Sequence, residues 1–197
     1  VMAAGLLAGC GTNSGGAPTP QDGKPYIAVV AKGFQHQFWQ AVKQGAEQAA
    51  KDYNVSITFE GPETEAQIDK QVDMVNNALS KSPKAICIAA LDSKALATSL
   101  DMAKSQNIPV IGFDSGVESD AVVATAATDN IAASAAAADK LAEAIGKSGK
   151  IGMVVHDQTS TTGQERRDGF KNRIESAYPD IQIVDIQYGD GDHLKSA

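Results

Sequence analysis

The stretch YIAVVAKGFQHQFWQAVKQGAEQAAKDYNVSITFE, residues 26–60, changes its hydrophobic period twice. Tyr26 to Ala31 is a short run rich in Ile and Val with no polar alternation. Phe38, Val42, Ala46, Ala49 and Tyr53 then recur at helical spacing, and Val55 to Glu60 reads as strand again. A strand that is apolar on both faces needs cover on both sides, which is the condition of a parallel sheet with helices packed above and below.

The same alternation continues along the chain. Ile68, Val72, Val75 and Leu79 mark a helix, Lys84 to Ala90 a buried strand, and Leu96, Leu100 and Ala103 a helix with Ser93 as its expected cap. Ile108 to Phe113 is a fourth strand and Ala121 to Ala126 a short fifth. Asp129 or Asn130 is expected to cap a long Ala-rich helix carrying Ile131, Ala135, Ala138, Leu141 and Ile145, which Gly146 and Gly149 end. Lys150 to Val155 is strand, Gly163 to Ala177 helix with Phe170 and Ile174 inward, and Ile181 to Gln187 strand. The class is α/β, doubly wound.

Composition narrows the functions open to such a fold. Among 197 residues, 17 basic and 24 acidic side chains give a net charge of −7, and no basic run interrupts it. A nucleic-acid partner is therefore not expected, because phosphate binding rests on clustered Lys and Arg. With 43% hydrophobic and 21% charged residues the chain has an ordinary globular composition. Two cysteines make no disulfide framework. Cys87, inside Ala85-Ile86-Cys87-Ile88-Ala89, is expected to pack as a small hydrophobe.

Cys10 has another setting. It closes Leu7-Ala8-Gly9-Cys10 after an apolar start, the pattern of a secretory segment meeting a small-residue cleavage site. Residues 11–23, rich in Gly, Ser, Thr and Pro, are expected to form a flexible linker, since they offer too little apolar surface to offset ordering. The folded part is expected to begin near Lys24.

In open parallel sheets, ligands bind beyond the carboxyl ends of the strands, where the strand order reverses. The residues following the strands are Lys32 with the run to Trp39, then Leu91-Asp92-Ser93, Asp114-Ser115-Gly116, and His156-Asp157-Gln158 with Thr159 to Arg167. No Gly-x-Gly-x-x-Gly or Walker lysine motif follows the first strand. No Gly-x-Ser-x-Gly elbow is present, and His36, His156 and His193 fall on separate elements without ligand spacing. Acceptors, cationic donors and flat aromatics remain. That set suits a small polyhydroxylated molecule: a carboxylate accepts two hydroxyl hydrogens, Lys or Arg donates to oxygens, and an aromatic face covers the C–H side of a ring. Neither a metal nor a cofactor is implied.

Several of these segments together resemble the periplasmic sugar-binding proteins of the ribose-binding type. They are Ile27 to Lys32, His36-Gln37-Phe38-Trp39, Gly61-Pro62, Ala90 to Leu96, Ile108-Pro109-Val110-Ile111-Gly112-Phe113-Asp114-Ser115, and Ala127-Thr128-Asp129-Asn130. The resemblance implies a type I periplasmic binding protein: doubly wound parallel sheets in two hinged lobes, residues 24–127 and 128–197, with the second lobe truncated. It implies a non-enzymatic receptor that captures a sugar or sugar-like ligand (aldose, polyol or furanosyl) by lobe closure and delivers it to the permease of an ABC importer. Its ligand-binding residues would be Lys32, His36, Phe38, Trp39, Asp114, Ser115, Gln164 and Arg166. Asp92, Asp129 and Asn130 are weaker candidates better suited to helix capping. Residues 1–10 resemble a partial lipoprotein signal segment with Cys10 lipidated. The expected location is therefore extracytoplasmic, in the periplasm or on the outer face of the cytoplasmic membrane, with the membrane touched only through the lipid, and a monomer is expected.

Rival readings stay open at this point. A subset of the family binds a furanosyl quorum-sensing signal, and Lys32, Asp114, Gln164, Gly61-Pro62 and Gln187-Tyr188-Gly189 resemble that subset, whereas Gly163 in place of an aspartate does not. A flavodoxin- or dehydrogenase-like enzyme would share the sheet but needs more than the one glycine in Lys32-Gly33-Phe34-Gln35-His36. A sugar-responsive transcription regulator would need a helix-turn-helix ahead of Lys24. Two strands, near Ile151 and Ile181, are too few for a covered second sheet. Binding by these 197 residues alone is therefore expected to be weak or absent.

Overall fold

The computed structural model describes residues 23–34 and 36–197. Cys10 and all of the expected linker except Gly23 lie outside the described residues. The elements run β1 (Tyr26–Val30), α1 (Gln37–Asp52), β2 (Ser56–Glu60), α2 (Ile68–Ser80), β3 (Ala85–Ile88), α3 (Ala97–Ser105), β4 (Val110–Phe113), β5 (Val122–Ala126), α4 (Asn130–Ala144), β6 (Gly149–Val155), α5 (Thr161–Ala177), β7 (Ile181–Tyr188) and α6 (His193–Ser196). Every strand pair is parallel, in one sheet of order β2-β1-β3-β4-β5 and a second of β6-β7. Strand order in the first sheet reverses between β1 and β3. Among the described residues no helix is long and apolar enough to cross a membrane.

Alternation along β1 explains the two-sided cover. Tyr26, Ala28 and Val30 pack with Val75 and Leu79 of α2 and Leu100 and Ala103 of α3. Ala31 and Ala89, just past β1 and β3, pack instead with Trp39 of α1. Gln71 of α2 locks the switch point. Buried to 1% exposure, its amide donates to the carbonyls of Ala31 (3.0 Å) and Ala89 (2.9 Å) and accepts from the Leu91 N–H (2.9 Å). Both strand tips that flank the switch are thereby held by one fully satisfied side chain.

Two local expectations are corrected. The inward stripe of α1 is Trp39, Val42, Ala46 and Ala50; Val42 and Ala46 lie where predicted, whereas Phe38, Ala49 and Tyr53 face outward and Trp39 and Ala50 take their place. Trp39 decides the phase because it carries the largest apolar area of the helix. Ser93 does not cap α3, whose first turn begins at Ala97. The Ser93 hydroxyl donates to Glu118, while Asp92 accepts from the Lys94 and Ala95 N–H groups (2.8 Å each) and closes a turn before the helix. Cys87 lies half-buried on β3, and burial raises the proton affinity of its thiol.

In the second lobe α4 and α5 pack on one face of β6-β7, around Ala138, Ala142, Ile174 and Ile181. The two helices approach so closely that a Cβ at Gly169 would stand 2.6 Å from the Ile131 carbonyl oxygen. Val154 and Val184, at 64% and 53% exposure, lie on the other face of the β6-β7 pair. Gly146, left-handed at φ 73°, follows the C-cap of α4 as its sequence position predicts. At the other end Asp129 accepts from the Ala132 N–H at 2.9 Å. Asp129→Ala is expected to cost about 1 kcal/mol, the usual worth of such a cap. An unchanged thermal midpoint would mean that the cap contributes nothing.

Candidate functional site

The tips of β1, β4, β6 and β7 and the loop after β2 face one another across the two lobes and line an open cavity of about 450 Å³. From the first lobe come Lys32, His36, Phe38, Trp39, Glu65 and Asp114; from the second, His156, Thr162, Arg166, and the Gly191-Asp192-His193 segment with Ser196.

Lys32 lies at the floor, 2% exposed, and is surrounded by acceptors: Ser160 Oγ at 3.4 Å, Glu65 Oε2 at 3.5 Å and Asp157 Oδ2 at 3.6 Å. Its charge is spent inside the protein. Lys32 was expected to donate to ligand; the structure gives it two carboxylates from different lobes first, because a buried ammonium must be paired. Glu65 is the centre of this network. Its Oε1 accepts from Trp39 Nε1 at 2.7 Å, and its Oε2 meets His156 Nε2 at 2.9 Å. Burial opposes ionisation of Glu65, but the bonds from His156 and Trp39 and the Lys32 charge outweigh it and bring its pKa down to about 2.

Asp114 is arranged the opposite way. It sits at the tip of β4 in the left-handed region (φ 55°), with the Ser115 N–H returning to the Phe113 carbonyl. Such a conformation is tolerated by Asp and Asn better than by most side chains. Among the described residues its carboxylate has no hydrogen-bond partner. Burial raises its proton affinity, an effect that the Lys32 and Arg166 charges only partly offset. Arg166 spends its Nε on Asn130 Oδ1 (2.9 Å), and Asn130 in turn donates to Glu165 and to the Thr128 carbonyl. The terminal nitrogens of Arg166 make no hydrogen bond among the described residues.

The other expected site residues divide. Phe38, 52% exposed, presents its ring at the cavity wall. Trp39, 2% exposed, is packed edge-on by Phe38 and Phe113 and held by Glu65, so the expected open stacking face belongs to Phe38 instead. His36 lines the cavity, and its Nε2 reaches the Gly191 carbonyl across the lobes at 3.1 Å. Ser115 is fully buried and paired with Thr162 Oγ1 at 2.9 Å, behind the cavity wall. Gln164 points away, donating to the Gln158 and Thr159 carbonyls before its own helix. Asp92 and Asp129 serve turns and caps, and Asn130 acts by orienting Arg166. Glu65, Asp192, Gly191 and Ser196 had no sequence signal. His156 and Thr162 stood among the residues following β6 without being singled out. Among the described residues, no three His, Cys, Asp or Glu side chains converge as metal ligands.

Comparison with known proteins places this geometry. The family described as "Periplasmic binding protein domain" matches residues 27–196. The chain is 27% identical to the D-allose-binding periplasmic protein of Escherichia coli K12, over 86% of this chain and 57% of that protein. It is 25% identical to the ribose import binding protein of Bacillus subtilis, over 86% and 54%. Among solved structures, a carbohydrate transporter solute-binding protein from Agrobacterium radiobacter in complex with D-arabinose superposes with a TM-score of 0.81 at 32% identity, covering 87% of this chain and 59% of that one. An ABC transporter solute-binding protein from Agrobacterium vitis with bound D-fucose gives 0.80 at 35%, covering 83% and 58%. The chain thus spans little more than half the length of these relatives. A family match across nearly all of the folded chain, on a five-stranded parallel sheet whose tips line an interlobe cleft, leaves one assignment: the chain belongs to the periplasmic binding protein family and has its type I fold.

Proposed function

We propose that this chain forms the sugar-gripping part of an extracytoplasmic receptor that captures its ligand unaltered and passes it to the permease of an ABC importer. One observation carries the reading: the Asp114 carboxylate and the terminal nitrogens of Arg166, unengaged among the described residues, meet the exposed Phe38 ring in a single cavity between two lobes. A carboxylate takes two adjacent hydroxyl hydrogens, a guanidinium gives two parallel N–H bonds to oxygens, and an aromatic ring covers the C–H face of a pyranose or furanose. Relatives named for D-allose and ribose, and structural neighbours holding D-arabinose and D-fucose, support a monosaccharide as the ligand.

Groups from both lobes line the cavity, so ligand contact is complete only when the lobes are closed, and differential affinity then shifts the population toward that state. Lipidation at Cys10 would keep the receptor beside its permease. A single acyl chain holds only reversibly, so more than one chain is expected.

The test is a titration of the intact protein with D-ribose, D-allose, D-arabinose, D-fucose and a furanosyl diol, by calorimetry and Trp39 fluorescence together. Trp39 is the one tryptophan among the 197 residues. It is bonded to Glu65 and touches Phe38, so closure is expected to change its emission with the same saturation point as the heat. No saturable heat with any of the sugars, or turnover of one of them, would remove the reading.

A further inference from the structure

The run Thr159-Ser160-Thr161-Thr162 leads into α5, and every one of its four hydroxyls meets the first lobe. Thr159 Oγ1 donates to the Leu91 carbonyl at 2.9 Å, and its own carbonyl accepts from the Ser93 N–H at 3.1 Å. Ser160 Oγ lies 3.4 Å from Lys32 Nζ while accepting from the Gly163 N–H as N-cap of α5. Thr161 Oγ1 accepts from the Gly116 N–H at 2.8 Å. Thr162 Oγ1 pairs with Ser115 Oγ at 2.9 Å, within reach of the Asp114 carbonyl at 3.2 Å.

A helix N-terminus needs one such hydroxyl for its own N–H groups, and Ser160 supplies it. The other three are directed at the opposite lobe: Thr159 and Thr161 toward backbone groups, and Thr162 toward the Ser115 hydroxyl and the Asp114 carbonyl, all of which water would satisfy if the lobes parted. Thr159 and Thr161 are not part of the wall of the sugar cavity, so their bonds form or break with closure whether or not a ligand is present.

We propose that Thr159–Thr162 is a ligand-independent clasp that populates the closed arrangement before sugar arrives and so sets the receptor's affinity. The proposal rests on the hinge-closure reading above. An apparent dissociation constant scales inversely with the fraction of protein already competent, so each bond that favours closure lowers the conformational cost left for the ligand.

The test needs no sugar. Spin labels at Lys51→Cys and Lys140→Cys, with Cys10 and Cys87 replaced by serine, report the interlobe distance in the intact protein. The parent is expected to show mostly the short distance. Thr159→Val/Thr161→Val keeps the side-chain shape, removes two cross-lobe bonds, and is expected to lower the closed-to-open ratio roughly tenfold. Thr159→Ser/Thr161→Ser keeps both hydroxyls and is expected to match the parent. Ser176→Ala is expected to match it too, because that hydroxyl bonds only within α5. Equal distributions for the valine variant and the parent would overturn the clasp, as would an open distribution in the serine variant. If the valine variant opens while no sugar in the panel binds, the clasp stands and the sugar reading alone falls.

Discussion

Glu65→Gln is expected to lower folding stability by about 3 kcal/mol, seen as a fall in the urea midpoint followed by Trp39 emission. Lys32 is 2% exposed and Glu65 is 7% exposed at its side chain. The charge of one is therefore the main solvation of the other. Glutamine keeps the size but turns one oxygen into a donor, which then faces Trp39 Nε1, His156 or Lys32, all of them donors in this network. Asp157 at 3.6 Å remains as a partial replacement, which holds the loss to the low end for a broken buried pair. The pH dependence follows from the same geometry. The folded carboxyl has a pKa of about 2, against 4.5 for the free group, so the unfolded chain takes up the proton first as the pH falls. The stabilisation is present in full above about pH 4.5 and is lost by about pH 2, and at ~1.4 kcal/mol per pH unit it amounts to about 3 kcal/mol. Asp139 and Asp168, whose proton affinities are lowered by bonds from Arg173 and Arg167, are common to both proteins and cancel in the difference. The gap between parent and variant should therefore close between pH 4.5 and 2. A variant with the parent's midpoint at pH 7 would show that Glu65 is not the anion that holds Lys32 in place.

The features that pointed to the fold are local, whereas much of the site is not. Runs such as Tyr26 to Ala31 are visible because a strand covered on both faces has only one way to be written, and Asp114 is visible because it ends such a run. Phe38, Ala49 and Tyr53 share a helical spacing with the inward Val42 and Ala46, but the area of the single Trp39 ring outweighs that count and turns them outward. Gln71 carries no signal, since a polar residue on an amphipathic helix reads as solvent-facing until the strand tips it satisfies are in place. Glu65 stands in an ordinary turn, and its partners Lys32, Trp39 and His156 are scattered along the sequence. Lys32 and Asp157 stand on separate loops of the sequence; only the approach of the lobes turns them into a buried pair. Gln164 turns away from the cleft for a related reason. It sits one turn into α5, where a long amide can reach the cleft, but the carbonyls of its own preceding loop are nearer.

Asp114→Asn should weaken the best sugar by about 2 kcal/mol, roughly thirtyfold in dissociation constant, through loss of a charge-assisted bond to ring hydroxyls. The substitution separates binding from folding. Asparagine occupies the left-handed region as readily as aspartate, so the backbone at φ 55° should hold. No protein hydrogen bond to the carboxylate is lost among the described residues. Burial makes the Asp114 charge costly in the native state, so the folded carboxyl binds its proton more tightly than the unfolded one. The native state is therefore favoured as the pH falls through that raised value, and a neutral amide removes the cost at every pH. Asp114→Asn is thus expected to fold at least as stably as the parent while binding less, a pair of opposite signs that a structural acid would not give. Calorimetry with the best sugar and a urea melt on the same preparation measure both. Parent-like affinity together with a lower melt midpoint would assign Asp114 to the scaffold and leave Arg166 and Phe38 without the acceptor that the proposed grip requires.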